Sequence, residues 1–183
     1  TVKNLIRRLA VQSMFMKQRS ESGIGKVKQM NMNFVLTGNP GTGKTSLARL
    51  MGELLQSMDI LPSKNIIEVS RAQLVGKYMG ETPKIVNKYC DQAMGGVLFI
   101  DEAYTLCNGG DDQYGHEAVD TLMRRMENDR GKFVVIIAGY KDRIDAFLSE
   151  NQGLASRFTH KMNIEDYNED ELLAIIKKMA AQE

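Results

Sequence analysis

Hydrophobic and polar positions along the chain switch repeatedly between two periods. Asn33-Phe-Val-Leu-Thr37 is a short apolar run that predicts a buried strand, and Leu47, Leu50, Met51, Leu54 and Leu55 then recur at helical spacing. The same alternation predicts strands over 65–70, 97–101, 132–138 and 159–163, and helices over 82–94, 115–128, 142–150 and 169–181. Thr82 before Pro83 marks a helix start, Gly95-Gly96 a helix stop, and Asn168 with Glu171 a capping box. Ahead of these, Val2, Leu5, Ile6, Leu9 and Met16 predict a packing helix over 1–19, followed by a polar loop over 20–32 around Gly23 and Gly25. Strands and helices in alternation imply an α/β chain whose mainly parallel sheet is covered on both faces. There is no internal repeat, low-complexity tract or interdomain linker.

Composition narrows this picture. With 183 residues, 43% hydrophobic and 26% charged, the chain fits one folded domain with a real core and excludes disorder. The net charge of +1 draws it to neither nucleic acid nor an anionic membrane. The charge is uneven, because residues 1–30 hold seven basic side chains against Glu21, leaving 17 basic and 22 acidic residues, a balance of −5, in the remainder. Cys90 and Cys107 cannot form a disulfide framework, and with His116 and His160 they match no zinc spacing. They are read as packing residues in a reducing, cytoplasmic protein. The longest apolar run, Phe133 to Ala138, is far too short for a membrane span, and residues 1–20 lack a signal-peptide core. A start at Thr1 is read as that of an excised fragment.

Residues 38–45, GNPGTGKT, fit the pattern G-x-x-x-x-G-K-[ST] between a predicted strand and a predicted helix. Gly38, Gly41 and Gly43 allow the backbone to curl so that successive N–H groups, with those of Asn39, Thr42 and Ser46 and the turn at Pro40, surround phosphate oxygens at a helix N-terminus. Lys44 supplies a point charge for the β- and γ-phosphates of ATP or ADP. Thr45 offers Mg²⁺ a hard oxygen ligand. Further on, Gly96-Val-Leu-Phe-Ile-Asp-Glu102 ends an apolar strand in two carboxylates, which a buried parallel strand can place only at its C-terminal end, where ligands of open α/β sheets bind. Asp101 is the candidate Mg²⁺ ligand, largely through water, and Glu102 the candidate general base for the attacking water.

GNPGTGKT, VLFIDEAY, MGE at 79–81 and LASRF at 154–158 together resemble the AAA+ ATPases, and GNPGTGKTSLARL, MGGVLFIDEAYTL and VVIIAGYKDRI resemble the branch that contains the red-type rubisco activase CbbX and the stage V sporulation protein K. The resemblance covers roughly residues 1–175. It implies a P-loop NTPase with a five-stranded parallel sheet of order 5-1-4-3-2, a nucleotide-binding domain over 1–166 with an N-terminal helix, and the start of a helical lid over 167–183. It further implies a homo-oligomeric, usually hexameric ring that hydrolyses ATP with Mg²⁺ to remodel a protein partner.

By the same resemblance Arg157 occupies the position of an arginine finger that acts on a neighbouring subunit's nucleotide, the alternative being a surface arginine capping a carboxylate. Tyr78 and Met79 fall where the family places its pore loop, the alternative being that they tuck against the next helix. The family's polar sensor after the fourth strand is replaced here by Ala138-Gly139-Tyr140, so Tyr140 or nothing takes that place. Two rival functions follow from the same sequence. A nucleic-acid motor or loader would use the basic residues 3–28, against which stand the net charge and the lack of a DNA-binding motif. A nucleotide-dependent assembly scaffold with little turnover would explain the missing sensor.

Overall fold

The computed structural model describes residue 11, residues 32–107, residue 109 and residues 112–180. The predicted helix over 1–19 and loop over 20–32 lie outside the described residues, except for helical Val11 and for Met32. The described chain runs β1 (Phe34–Thr37), α1 (Lys44–Ser57), β2 (Ile66–Val69), α2 (Arg71–Leu74), α3 (Thr82–Gln92), β3 (Val97–Ile100), a 3-10 turn (Ala103–Leu106), α4 (Gln113–Asn128), β4 (Val134–Gly139), α5 (Lys141–Glu150), α6 (Gln152–Ala155), β5 (His160–Asn163) and α7 (Glu169–Ala180). Five strands form one sheet in the order β2-β3-β4-β1-β5, which read from the other edge is the expected 5-1-4-3-2. Every pairing is parallel, with Thr37 opposite Gly139 and Asn163, and Ile100 opposite Ile137 and Val69.

Because side chains alternate across a strand, each central strand feeds two cores. Val35, Leu98, Ile100, Val135 and Ile137 face one side and are buried with Val86 and Cys90 of α3, Ala118, Val119 and Leu122 of α4, and Ile144, Phe147 and Leu148 of α5. Phe34, Leu36, Phe99, Ile136 and Ala138 face the other, where Ala48, Met51 and Leu55 of α1 cover them. Strands buried on both faces explain the continuous apolar runs that first marked them. Among the described residues no helix is long and apolar enough to cross a membrane.

From β1 onward the expected elements are present, with shifted ends. Asp101 lies one residue beyond β3 rather than within it, since its N–H still bonds Val69 O (2.9 Å) but the chain then turns. The one-turn helices α2 and α6 are additional to the expected elements, being too short to show a period. Leu50, predicted on the apolar face of α1, is 56% exposed, and Ala48 takes the buried place instead. The capping box at α7 is as expected, with Asn168 N donating to Glu171 Oε2 (2.9 Å) and Glu171 N to Asn168 Oδ1 (2.9 Å).

Asn33, predicted as a strand residue, does its work through its side chain. Its Oδ1 accepts from Val135 N (2.8 Å) and its Nδ2 donates to Arg157 O (3.2 Å), so one buried amide joins the start of β1 to β4 and to the segment before β5. Removing it strands a buried N–H at Val135. Asn33→Ala is expected to lower unfolding free energy by about 1–3 kcal/mol, read from the denaturant midpoint at unchanged slope.

Candidate nucleotide site

The phosphate loop leaves β1 and enters α1 through backbone that only glycine adopts readily. Gly41 and Gly43 have φ of 77° and 82°, and Gly43 is the N-cap of α1, with no side-chain cap. Thr42 Oγ1 donates to Asn39 O (2.8 Å), which closes the turn over Pro40. Lys44 curls back over this turn, donating from Nζ to Gly38 O (3.0 Å) and Asn39 O (2.7 Å). Its ammonium is thus held at the mouth of the loop by carbonyls that carry no full charge. Thr45, half-buried, and exposed Ser46 follow in the first turn of α1, where free helix N–H groups attract anions.

The two carboxylates stand two strands away, across β4. Asp101 Oδ1 accepts from Glu102 N (3.0 Å), and Glu102 O accepts from both Thr105 N (2.8 Å) and Thr105 Oγ1 (2.7 Å). Between these bonds Glu102 is held in the left-handed region, φ 49° and ψ 43°, which costs a non-glycine residue of the order of 1–2 kcal/mol. Burial raises the Glu102 carboxyl above its ordinary range, and Asp101 adds to this, while the cations Lys44 and Arg143 oppose it. The phosphate-loop lysine therefore acts electrostatically on the carboxylate that the sequence singles out. The hydroxyl of Thr45 and the carboxylate of Asp101 are hard oxygen donors fitted to Mg²⁺, which keeps most of its own water. Among the described residues no denser cluster of His, Cys, Asp and Glu could hold a metal.

Other parts of the site were not legible in the motifs. The strap that follows β5 crosses the phosphate loop: Asn39 Nδ2 donates to both oxygens of Asp166 (3.0 and 2.8 Å), and Tyr167 Oη donates to Thr42 O (3.1 Å). Arg71, in α2, donates to Thr105 O (2.9 Å) and pairs with Asp112 through both nitrogens (2.6 and 3.1 Å), bracing the turn after Glu102.

Arg157 follows α6. Its Nη1 donates to Gly153 O (2.7 Å), and its Nη2 lies 3.5 Å from Glu127, a carboxylate that Arg130 also binds at 2.8 Å. Within one subunit it is therefore a partly buried arginine on a carboxylate. Tyr78 and Met79 do not tuck against α3; they are 74% and 86% exposed on a tight loop pinned by Glu81 Oε2, which accepts from the N–H groups of Lys77 (2.9 Å) and Tyr78 (3.2 Å). Tyr140 caps α5, its ring 6.3 Å from that of Tyr104.

Burial pushes the thiol of Cys90 up to about 12 and that of Cys107 up to about 11. Both are thus thiols rather than thiolates at neutral pH. A chromogenic disulfide is expected to react slowly with the native protein at pH 7.5 and with both cysteines at once after denaturation. At Gly38, a Cβ would stand 2.6 Å from the backbone oxygen of Ile164, an atom that cannot swing aside. Gly38→Ala is expected to cost about 1–3 kcal/mol in unfolding experiments and to weaken nucleotide binding by calorimetry, since the strap and the loop must separate.

Comparison with known proteins agrees with this geometry. The family described as ATPase family associated with various cellular activities (AAA) matches residues 34–166. The stage V sporulation protein K of Bacillus subtilis (strain 168) is 44% identical over 163 residues, covering 89% of this chain and 50% of that protein. The ESX-1 secretion system protein EccA1 of Mycobacterium tuberculosis (strain H37Rv) is 43% identical over 183 residues, covering 98% of this chain and 32% of that protein. The chain therefore spans half or less of these relatives. A crystal structure of the FIGL-1 AAA domain in complex with ADP superposes with a TM-score of 0.65 at 19% identity, covering 99% of this chain and 57% of that one, and so shares the fold. With a family match from the first strand through the strap that crosses the phosphate loop, the chain belongs to the AAA family of ATPases.

Proposed function

We propose that this chain is the ATP-hydrolysing domain of a Mg²⁺-dependent ring that remodels a protein partner. The observation that carries the reading is the convergence of Lys44 and Thr45, after β1, with Asp101 and Glu102, after β3, on one edge of a parallel sheet. Water attacks the γ-phosphorus of ATP, Glu102 takes its proton, and the β–γ bond breaks with ADP as the leaving group. Lys44 and the loop N–H groups bind the phosphates. Thr45, and Asp101 through water, would hold a Mg²⁺ ion, which would supply charge neutralisation at the phosphates.

Three features support a shared, ring-borne site. Arg157 follows α6 with its side chain about a quarter exposed, on a carboxylate that already has Arg130 as a partner, so Glu127 stays paired when Arg157 moves to a neighbouring subunit's phosphate. Tyr78 and Met79 present an exposed aromatic and thioether on a loop whose glycine, Gly80, has φ 72°, suited to contact with an extended peptide. Two relatives, the EccA proteins of ESX-1 and ESX-3, are named for secretion systems, where a protein partner is in keeping.

Lys44→Ala is expected to abolish nucleotide binding, whereas Glu102→Gln keeps it and lowers turnover about 10²–10⁴-fold; equal turnover in Glu102→Gln and the parent would remove Glu102 from the mechanism. Specific ATPase activity of the full-length protein is expected to rise steeply with concentration. In Arg157→Ala that rise is expected to disappear, with turnover down about 10³-fold or more and nucleotide still bound. A flat profile indifferent to Arg157 would favour a site complete within one subunit.

A further inference from the structure

The end of β4, where the family's polar sensor is missing, is built around an arginine that the sequence motifs did not single out. Arg143, in the first turn of α5, places its guanidinium carbon 5.2 Å from the ring centre of Tyr104 and 5.6 Å from that of Tyr140. Tyr104 comes two residues after Glu102, in the 3-10 turn, and Tyr140 directly follows β4. Gly139 makes the packing feasible, since a Cβ there would stand 2.8 and 2.9 Å from carbons of the Tyr104 ring. The carbonyl of this same Gly139 accepts from Gly38 N (3.2 Å), the first residue of the phosphate loop. Arg143 therefore stands over the junction between the phosphate loop and the Glu102 turn.

Among the described residues no hydrogen bond or ion pair engages Arg143. A guanidinium laid on aromatic faces is oriented through its plane and keeps the five N–H donors of its edge for another ligand. An arginine serving only as a surface brace would normally spend that edge on a carboxylate or carbonyl, as Arg71, Arg125 and Arg130 do here. An edge left unspent beside a phosphate loop fits an incoming oxyanion. We propose that Arg143 contacts the terminal phosphate of ATP from the β4 side, in the same subunit, and so supplies the nucleotide-sensing contact that Tyr140 cannot. This assignment rests on the ATPase reading above. Lys44 approaches the phosphates from the loop, Arg143 from across β4, and Glu102 feels both cations.

ADP lacks the group that Arg143 would touch, so the discriminating quantity is the ratio of affinities for ADP and for a non-hydrolysable imido analogue of ATP. This is measured by competition with a fluorescent nucleotide on the full-length protein with Mg²⁺, as parent, Arg143→Ala, Arg143→Lys, Tyr104→Leu and Lys44→Ala. Arg143→Ala is expected to leave ADP affinity within about twofold and to weaken the analogue about tenfold or more, the worth of one charge-assisted hydrogen bond. Arg143→Lys should recover part of that loss, and Tyr104→Leu should show a smaller loss of the same kind, because the cation remains but its platform does not. In turnover, kcat should fall more than KM rises. An unchanged ratio in a folded Arg143→Ala protein overturns the proposal, as does an equal loss for both nucleotides, which is what a helix brace gives. Should Arg143→Ala fail to fold, the Arg143→Lys and Tyr104→Leu ratios decide in the same sense. A parent that binds neither nucleotide, like Lys44→Ala, overturns the ATPase reading together with this one, whereas a parent whose preference survives in Arg143→Ala overturns only the role of Arg143.

Discussion

Parallel pairing is the constraint on which every functional group in this chain depends. With β1, β3 and β4 running the same way and in register, Thr37 opposite Gly139 and Ile100 opposite Ile137, the chain exits all three strands on one edge. The lysine, the two carboxylates and Arg143 come from three segments separated by up to about 100 residues, yet the sheet sets those segments side by side. Antiparallel pairing would send β3 out at the opposite edge and separate Glu102 from Lys44 by the length of a strand, about 13 Å for four residues. The buried double core is therefore a precondition for the chemistry, since only a strand covered on both faces can be central in such a sheet.

The site is held under tension that its surroundings balance. Glu102 occupies a left-handed backbone conformation that a residue with a Cβ avoids, and it does so between a bond from its own N–H to Asp101 and two bonds from Thr105 to its carbonyl. Arg71 and Asp112 then brace the following turn from α2, the element that leads into the Tyr78 and Met79 loop. The same short stretch of chain thus carries the candidate base, the platform for Arg143 and a link toward the exposed loop. The turn is also anchored in the core, since Ile100 before it and Ala103 and Leu106 after it are fully buried, so Glu102 is held from both sides.

What could be read from the sequence was what has a period or a fixed spacing. The strands, the long helices and GNPGTGKT were legible because burial on two faces, a 3.6-residue repeat and a glycine-rich turn leave marks in local order, and the sheet order followed from the family that those marks resemble. Arg143, Tyr104 and Asn33 were silent for the opposite reason: each acts across the sheet, on a partner 39, 39 or 102 positions away, and its residue type is unremarkable where it stands. The strap of Asp166 and Tyr167 over the phosphate loop belongs with them, at separations of 127 and 125. Leu50 shows the converse limit, since helical spacing places it on the apolar face although the buried face of α1 runs through Ala48, Met51 and Leu55 instead.

Asn33 joins β4 to the segment that carries Arg157. One side-chain amide fixes Val135 in β4 and the carbonyl of Arg157, so the Arg157 backbone is referenced to the strand whose end leads into the first turn of α5. The guanidinium of Arg157 can leave Glu127 without stranding that carboxylate, because Glu127 keeps its bond to Arg130, although the bond to Gly153 O must break as well. Backbone anchored and side chain exchangeable is the combination that a residue acting between subunits needs.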